Sequence, residues 1–352
     1  MTATRRPFGS LPDGTEIEAV DLAGDGIAAT VVTAGAALAS LRTPDRTGAM
    51  GEVIRGFPDP ESRADRPAVA GATVGRYANR IGNAAFTLDG RRYALAANKG
   101  PHCLHGGPDA FHTRTWRLMG TGDAPHPFAT FALASPDGDG GFPGRLEVTA
   151  TYSLTGPGAL TMTYEARTDR PTVVSMTNHA FFNLAGSGPI LDQRLEVAAD
   201  GFLPLDATQL PTGEIRTVAG TRFDLRRPKA LAEAVRGTAD PQLLQEHGFD
   251  HCFVLHWEPA LTEPRFAARA ADPGSGRAME VSTTAPGLQV YSGAILETGD
   301  DGRAVPLALS DGFCLEPGGF PDAPNRPDFP SAEIASDRPF RQVTVYRFAA
   351  DA

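Results

Sequence analysis

Short runs in which apolar and polar residues alternate recur along the chain, as in AAFTLDGRRYAL (84–95), RLEVTATYSL (145–154) and the terminal RQVTVYRF (341–348). Period-2 alternation bounded by turn residues is the signal of half-buried strands. Between the first pair of runs, Asp89-Gly90 suits a tight hairpin turn. A helical pattern is offered only by Pro228 to His247, and Gly237 and Pro241 interrupt it. Strand after strand, with turn signals about every 8–12 residues, predicts an all-β fold: a large antiparallel β-sandwich with few short helices. The stretch Gly120 to Gly144, rich in Gly, Pro and Asp, reads as surface turns. No biased linker and no repeat of fixed period divides the chain, so residues 1–352 are expected to form one domain.

Composition narrows the function. A formal net charge of -10 argues against nucleic acid and anionic membrane as partners, since both call for basic patches. The start carries two arginines but no apolar stretch behind them, and Ile27 to Leu41 is too short and too polar to span a bilayer. Cys103, Cys252 and Cys314 lie far apart and are odd in number, which is not a disulfide framework. A cytoplasmic location is expected.

Four segments concentrate polar residues among strand-like surroundings: GATVGRYANRIGNAAF (71–86), GPHCLHGGPDAFHTRTW (100–116), TNHAFFNLAG (177–186) and FCLEPGGFPDAPNRPDFP (313–330). The first lacks the G-K-[ST] of a phosphate loop, so its glycines mark tight turns and Asn79-Arg80 presents a donor fork. In the second, His102, His105 and His112 are not at the spacing of a helical zinc pair, and Gly106-Gly107 after His105 allows positive φ or close backbone approach. His247 and His251 have i, i+4 spacing, but Gly248 lies between them and a strand-like run follows. With no C-x-x-C pair either, no metal is expected. In the third, His179 stands between two amides, Asn178 and Asn183, on a segment with Phe181 and Phe182. In the fourth, Glu316 ends an apolar run, where burial would raise its pKa towards that of a useful base. Each cysteine lies two residues from a polar candidate (His105, Asp250, Glu316). Residues i and i+2 share a strand face, so the thiols are expected to line the same cavity.

Taken in order, GATVGRYANRI, LHGGPDAFHTRTW, TNHAFFNLAG, LPTGEI, GFDHCFVL, PGLQVYSG and CLEPGGFPDAPNRPDFPS resemble the aldose 1-epimerase (galactose mutarotase) family. The resemblance covers most of the chain. It implies a galactose mutarotase-like supersandwich with an open sugar cleft and an isomerase that exchanges the α and β anomers of an aldohexose such as galactose or glucose. Carried over by motif, Glu316 is the implied general base and His179 the general acid. Arg80, His105, Asp250 and Gln289 are implied to hold the sugar. Asn79 is a weaker member, since neighbouring strand residues face opposite ways. The chain departs from the family pattern at Ala180, Phe181 and Gly318, where the pattern has serine, tyrosine and glutamine, and DRPAVA before Gly71 lacks an aromatic. These departures bear on the preferred sugar.

The implied chemistry opens the hemiacetal by taking a proton from the C1 hydroxyl and placing one on the ring oxygen. It needs no metal, nucleotide or other cofactor. A carboxylate and an imidazolium on opposite sides of the ring are expected, with nearby Glu316 or Asp250 raising the pKa of His179. The partner is a small monosaccharide, and the chain acts as a monomer or homodimer. Three competing readings remain: a glycoside hydrolase using Glu316 and Asp250, a non-catalytic carbohydrate-binding module, and an epimerase of a phosphorylated or uncommon sugar.

Overall fold

The computed structural model describes residues 1–63, 66–256, 258, 261–299, 302–306 and 310–350. Three antiparallel sheets dominate. The largest has nine strands in the order Arg117–Gly122, Phe128–Ser135, Leu146–Gly156, Ala159–Thr168, Phe340–Ala350, Arg277–Thr283, Arg265–Ala271, Arg194–Val197 and Lys229–Ala230. A five-stranded sheet of consecutive hairpins (Thr2–Ser10, Glu16–Gly24, Ile27–Val32, Ala37–Pro44, Met50–Glu52) lies at the N-terminus. The third, also five-stranded, runs Arg216–Thr217, Ala199–Phe202, Asp250–Leu255, Gly287–Tyr291, Cys314–Gly318.

Alternation explains the layering. Along Leu146–Gly156 the side chains of Leu146, Val148, Ala150, Tyr152 and Leu154 are buried while Glu147 is exposed. Their buried faces join a single apolar cluster that includes Val20 and Leu22 of the N-terminal sheet and Phe253, Leu288, Val290 and Leu315 of the third. The nine-stranded sheet also meets the third through a hydrogen bond, Tyr346 Oη donating to the Leu315 carbonyl at 3.1 Å. This leaves the opposite face of the third sheet free to carry polar groups.

Local expectations hold at the Asp89-Gly90 hairpin, which joins Ala85–Leu88 to Arg91–Ala94 with both turn residues at positive φ (51° and 73°). Gly106 has φ 90°, and a Cβ there would sit 2.3 Å from the Gly75 carbonyl oxygen. The helical pattern resolves into two five-residue helices, Leu231–Val235 and Pro241–Gln245. The second is capped by Asp240, which accepts from the Gln242 N–H, with Pro241 in its first turn. One expectation needs correcting. Gly120 to Gly144 is not all surface turn, because FATFALAS forms strand Phe128–Ser135 and buries Ala129 and Phe131 in the core. No helix among the described residues is long and apolar enough to cross a membrane.

Candidate active site

The register of the third sheet assembles one side of a cleft. Cys252 pairs with Gln289, Gln289 with Glu316, Asp250 with Tyr291, and Tyr291 with Cys314. Directly paired residues share a face, as do residues two apart. Asp250, Gln289, Tyr291 and Glu316 therefore project together from three neighbouring strands, while Leu288, Val290 and Leu315 point into the core. They border a cavity of about 530 Å³ that is also lined by Asn79, Arg80, Lys99, His105, His179, Phe181, Gln209, Gln245, Glu246, Pro67 and Val69. All seven residues singled out in the sequence meet here.

His179 reaches the cavity from the segment that follows the short strand Thr177–Asn178, which pairs with Thr73–Val74. The His179 N–H donates to the Ala72 carbonyl at 3.0 Å, and the Gly71 N–H returns a bond to the His179 carbonyl at 2.9 Å. The flanking amides anchor this segment. Asn178 Nδ2 donates to the Gly71 carbonyl at 2.6 Å, and Asn183 Nδ2 donates to the carbonyls of Gly188 and Asp311. The two phenylalanines divide their work: Phe182 packs in the core against Phe313 and Tyr346, whereas Phe181 stacks on the His179 ring with centroids 5.0 Å apart. Phe181 gives the cleft an apolar wall suited to the C–H face of a sugar.

His105 and Asn79 lock one another. The His105 N–H donates to the Asn79 carbonyl at 2.9 Å, and the Asn79 N–H donates to His105 Nδ1 at 3.2 Å. With Nδ1 accepting, the neutral ring carries its proton on Nε2. Asn79 has φ 65°, so strand alternation fails at this position and Asn79 and Arg80 both line the cleft. Of the three histidines in residues 100–116, only His105 lines it; His102 Nδ1 accepts from the Asn83 N–H instead.

Residues that sequence reasoning passed over complete the wall. Arg80 Nη2 donates to Gln209 Oε1 at 2.7 Å, and Gln209 Nε2 donates to Glu246 Oε2 at 2.6 Å. Gln289 Nε2 donates to Asp250 Oδ1 at 2.6 Å. Arg80 Nε and Gln289 Oε1 are buried with no protein partner. An orphan donor and an orphan acceptor beside one cavity are what sugar hydroxyls could satisfy. Lys99, Gln209 and Glu246 had no motif to reveal them, and Tyr291 stood unremarked in PGLQVYSG two residues after Gln289. Only turn and strand geometry brings them in.

At the floor, His179 Nε2 lies 3.7 Å from Glu316 Oε1, and both side chains are almost wholly buried. Burial pushes the His179 imidazole down to about 4, against the expectation that a neighbouring carboxylate would raise it. The same burial, reinforced by Asp250, pushes Glu316 well above the usual carboxylate range. The charged form of each is penalised by desolvation, and the two groups titrate as a coupled pair. Burial likewise raises Asp250, against the opposing pull of Arg80 and Gln289. His105 is held well below its ordinary value by burial first and then by His179, His112 and Arg80.

The cysteines do not line the cavity. Cys103, Cys252 and Cys314 are 1%, 3% and 0% exposed. Cys252 packs with Leu203, Phe320, Ala323 and Phe329, and Cys103 packs in the cluster of Tyr77, Ile81 and Phe86. Cys314 sits behind the catalytic candidates, its Sγ 3.5 Å from His179 Nδ1. His179, Cys314 and Glu316 place possible ligand atoms within 4.8 Å of one another. All three are buried, with the thiol beside Nδ1 and the carboxylate beside Nε2 of one imidazole. A bulky disulfide reagent is accordingly expected to modify no thiol of the native protein and to leave activity intact. Spectrophotometric titration, repeated after denaturant is added, checks this.

Two of the sequence departures find their places. Ala180 is part of the apolar core, and Gly318 lies outside the cavity lining, where a Cβ would approach Ser175 Oγ at 3.4 Å. Phe181 and the aliphatic Pro67 and Val69 shape the cleft directly.

Comparison with known proteins agrees with this architecture over its full length. A family model described as aldose 1-epimerase matches residues 18–347. The galactose mutarotase of Bos taurus is 39% identical over 357 aligned residues, covering 99% of both chains, and the aldose 1-epimerase of Escherichia coli (strain K12) is 36% identical over 344, covering 97% of both. Among solved structures, galactose 1-epimerase from Lactobacillus acidophilus NCFM superposes with a TM-score of 0.84 at 25% identity, covering both chains completely. An aldose epimerase homologue from C. elegans gives 0.81 at 31% identity, covering 95% of this chain and 99% of its own. Family model, relatives and fold coincide from the first sheet to the last strand, and the chain belongs to the aldose 1-epimerase family.

Proposed function

We propose that this protein is an aldose 1-epimerase that interconverts the α and β anomers of a neutral aldohexose, galactose or glucose, by general acid/base ring opening and reclosure. The observation that carries the reading is the pairing of His179 Nε2 with Glu316 Oε1 at 3.7 Å, on the floor of a cleft with unpartnered sugar-binding groups. The acid and base stand side by side, not across the ring as the sequence suggested. That suits the reaction, because the hydroxyl oxygen that loses a proton and the ring oxygen that gains one are both bonded to C1. With the proton of the pair on His179 and Glu316 ionised, Glu316 takes the C1 hydroxyl proton as His179 protonates the ring oxygen, and the bond between C1 and the ring oxygen breaks to give the open-chain aldehyde. Rotation about C1–C2 presents the other carbonyl face, and reclosure returns both protons. Each positioned transfer is worth roughly 10²–10⁴-fold.

Within this reading, Asn79, Arg80, His105, Asp250 and Gln289 bind the sugar. Arg80 and the Nε2–H of His105 donate to oxygens, Asp250 accepts from hydroxyls, and Phe181 covers an apolar face. The chain works as one cytoplasmic unit over residues 1–352, without metal or cofactor, as a monomer or homodimer. The alternatives fit less well. In a glycoside hydrolase a second carboxylate would act with Glu316, whereas the group that faces Glu316 here is His179. A pure binding module has no use for a buried acid/base pair. The lining holds three carboxylates (Glu246, Asp250, Glu316) and two cations (Arg80, Lys99), which disfavours a phosphorylated sugar.

Polarimetry on freshly dissolved α-D-galactose and α-D-glucose tests the reading. The protein is expected to speed the decay of rotation to the uncatalysed end point with at least one of them. An unchanged decay with both, and with a wider panel of neutral aldoses, overturns it.

A further inference from the structure

Gln209 lies on a turn with no catalytic motif, far from Arg80 in the chain, yet its side chain is fixed at both ends. Asp206 builds the turn, its Oδ1 accepting from the N–H groups of Thr208 and Leu210 and from the Thr208 hydroxyl. Gln209 closes it at φ 67°, a left-handed conformation that a glutamine rarely adopts without being held there. The helix Pro241–Gln245 does the holding. Gln242 bonds both the N–H and the carbonyl of Leu205, and Gln245 Nε2 donates to the Asp206 carbonyl at 2.9 Å.

The chemistry of the neighbours dictates which way the Gln209 amide faces. Arg80 can only donate and the Glu246 carboxylate can only accept, so the carbonyl must meet the guanidinium and the NH₂ must meet the carboxylate. The other Glu246 oxygen is taken by Gln245 Nε2 at 2.8 Å. A hydrogen-bonded line therefore runs from the helix end through Glu246 and Gln209 to Arg80, whose Nε remains buried and unpartnered.

We propose that Gln209 is a positioning residue for sugar binding: by gripping Arg80 at Nη2 and being gripped by Glu246, it aims the rest of the guanidinium at the sugar hydroxyls. This rests on the mutarotase reading. Its effect falls on affinity and not on proton transfer, because Gln209 contacts neither His179 nor Glu316. An unanchored arginine must lose side-chain freedom each time a sugar binds, whereas a pre-aimed one does not.

The test measures mutarotation kinetics, calorimetric Kd for D-galactose and thermal midpoint on the full chain. Gln209→Met keeps the length and removes both hydrogen bonds. It is expected to raise KM and Kd about tenfold, the scale of a lost hydrogen bond to a charged group, with kcat within about twofold. Gln209→Glu alone still accepts from Arg80 but repels Glu246, and KM should again rise. Combining Gln209→Glu with Glu246→Gln restores an unbroken donor–acceptor line, and KM should return to within about threefold of wild type. Two results overturn the proposal: unchanged KM and Kd in Gln209→Met, or a loss of kcat and thermal midpoint together that the double exchange does not rescue. A wild-type protein that binds galactose without turning it over would overturn the mutarotase reading, and the Kd series would then decide on Gln209 alone. One that binds no aldose would overturn both.

Discussion

Glu316→Gln is expected to lower kcat for anomer exchange roughly 10²–10⁴-fold, with Kd for galactose changed only a few fold. Glutamine keeps the size and the hydrogen-bonding reach of the carboxyl but cannot take the C1 hydroxyl proton. The substitution should fold normally. Burial and Asp250 already push Glu316 towards its neutral form, so a neutral amide enters an environment that penalises charge. Single-turnover polarimetry alongside calorimetry separates the two effects. Turnover near wild type would remove Glu316 from the chemistry. A large loss of sugar binding with residual kcat would instead make it a sugar ligand.

His179→Asn is expected to cause a loss of similar size and also to change the shape of the pH profile. The competent pair holds one proton, on either partner. On the acid side the pair gains a second proton when the imidazole, pushed down to about 4 by burial, becomes charged. The acid limb of the activity should therefore fall near pH 4. On the alkaline side the last proton leaves Glu316, whose pKa is raised, so that limb lies above the ordinary carboxylate range. In His179→Asn the acid limb due to the imidazole disappears and one ionisation remains. A wild-type activity that rose steadily above pH 7 would instead mean that the doubly deprotonated pair is the competent form, and would contradict the assignment of His179 as acid.

The parts of this structure legible in the sequence are those set by local pattern. Alternation marked the strands on both sides of Asp89-Gly90 and the long terminal strand, because Phe86 and Leu88 of the first and alternate residues of the last are buried, while Tyr93 packs half-buried against Phe86. Phe128–Ser135 was hidden because its surroundings are rich in turn residues, and its neighbours in the sheet supply the burial that decides it. Motifs named seven residues of the cleft. Alternation made Asn79 the weaker member of the set, but a single positive φ cancels that rule and Asn79 lines the cleft with the rest. The motifs gave the wrong sign for His179, since nearby carboxylates are visible in a sequence but the loss of water is not. They placed the thiols on the correct sheet faces at Cys252 and Cys314, but a shared face does not tell how far a cavity extends along it. Gln209 was beyond reach, because its contact with Arg80 joins positions 129 apart.

The paired strands Asp250–Leu255, Gly287–Tyr291 and Cys314–Gly318 also act as a gauge. Neighbouring strands in any sheet stand about 4.8 Å apart, so the span from the Asp250 strand to the Glu316 strand is about two such steps. Two steps are close to the breadth of one pyranose ring with its hydroxyls. For the proposed substrate, the count of sugar units between the carboxylate at one side and the base at the other is thus set by main-chain hydrogen bonds. Side-chain changes around the rim can alter which epimer is preferred, but they leave that measure untouched.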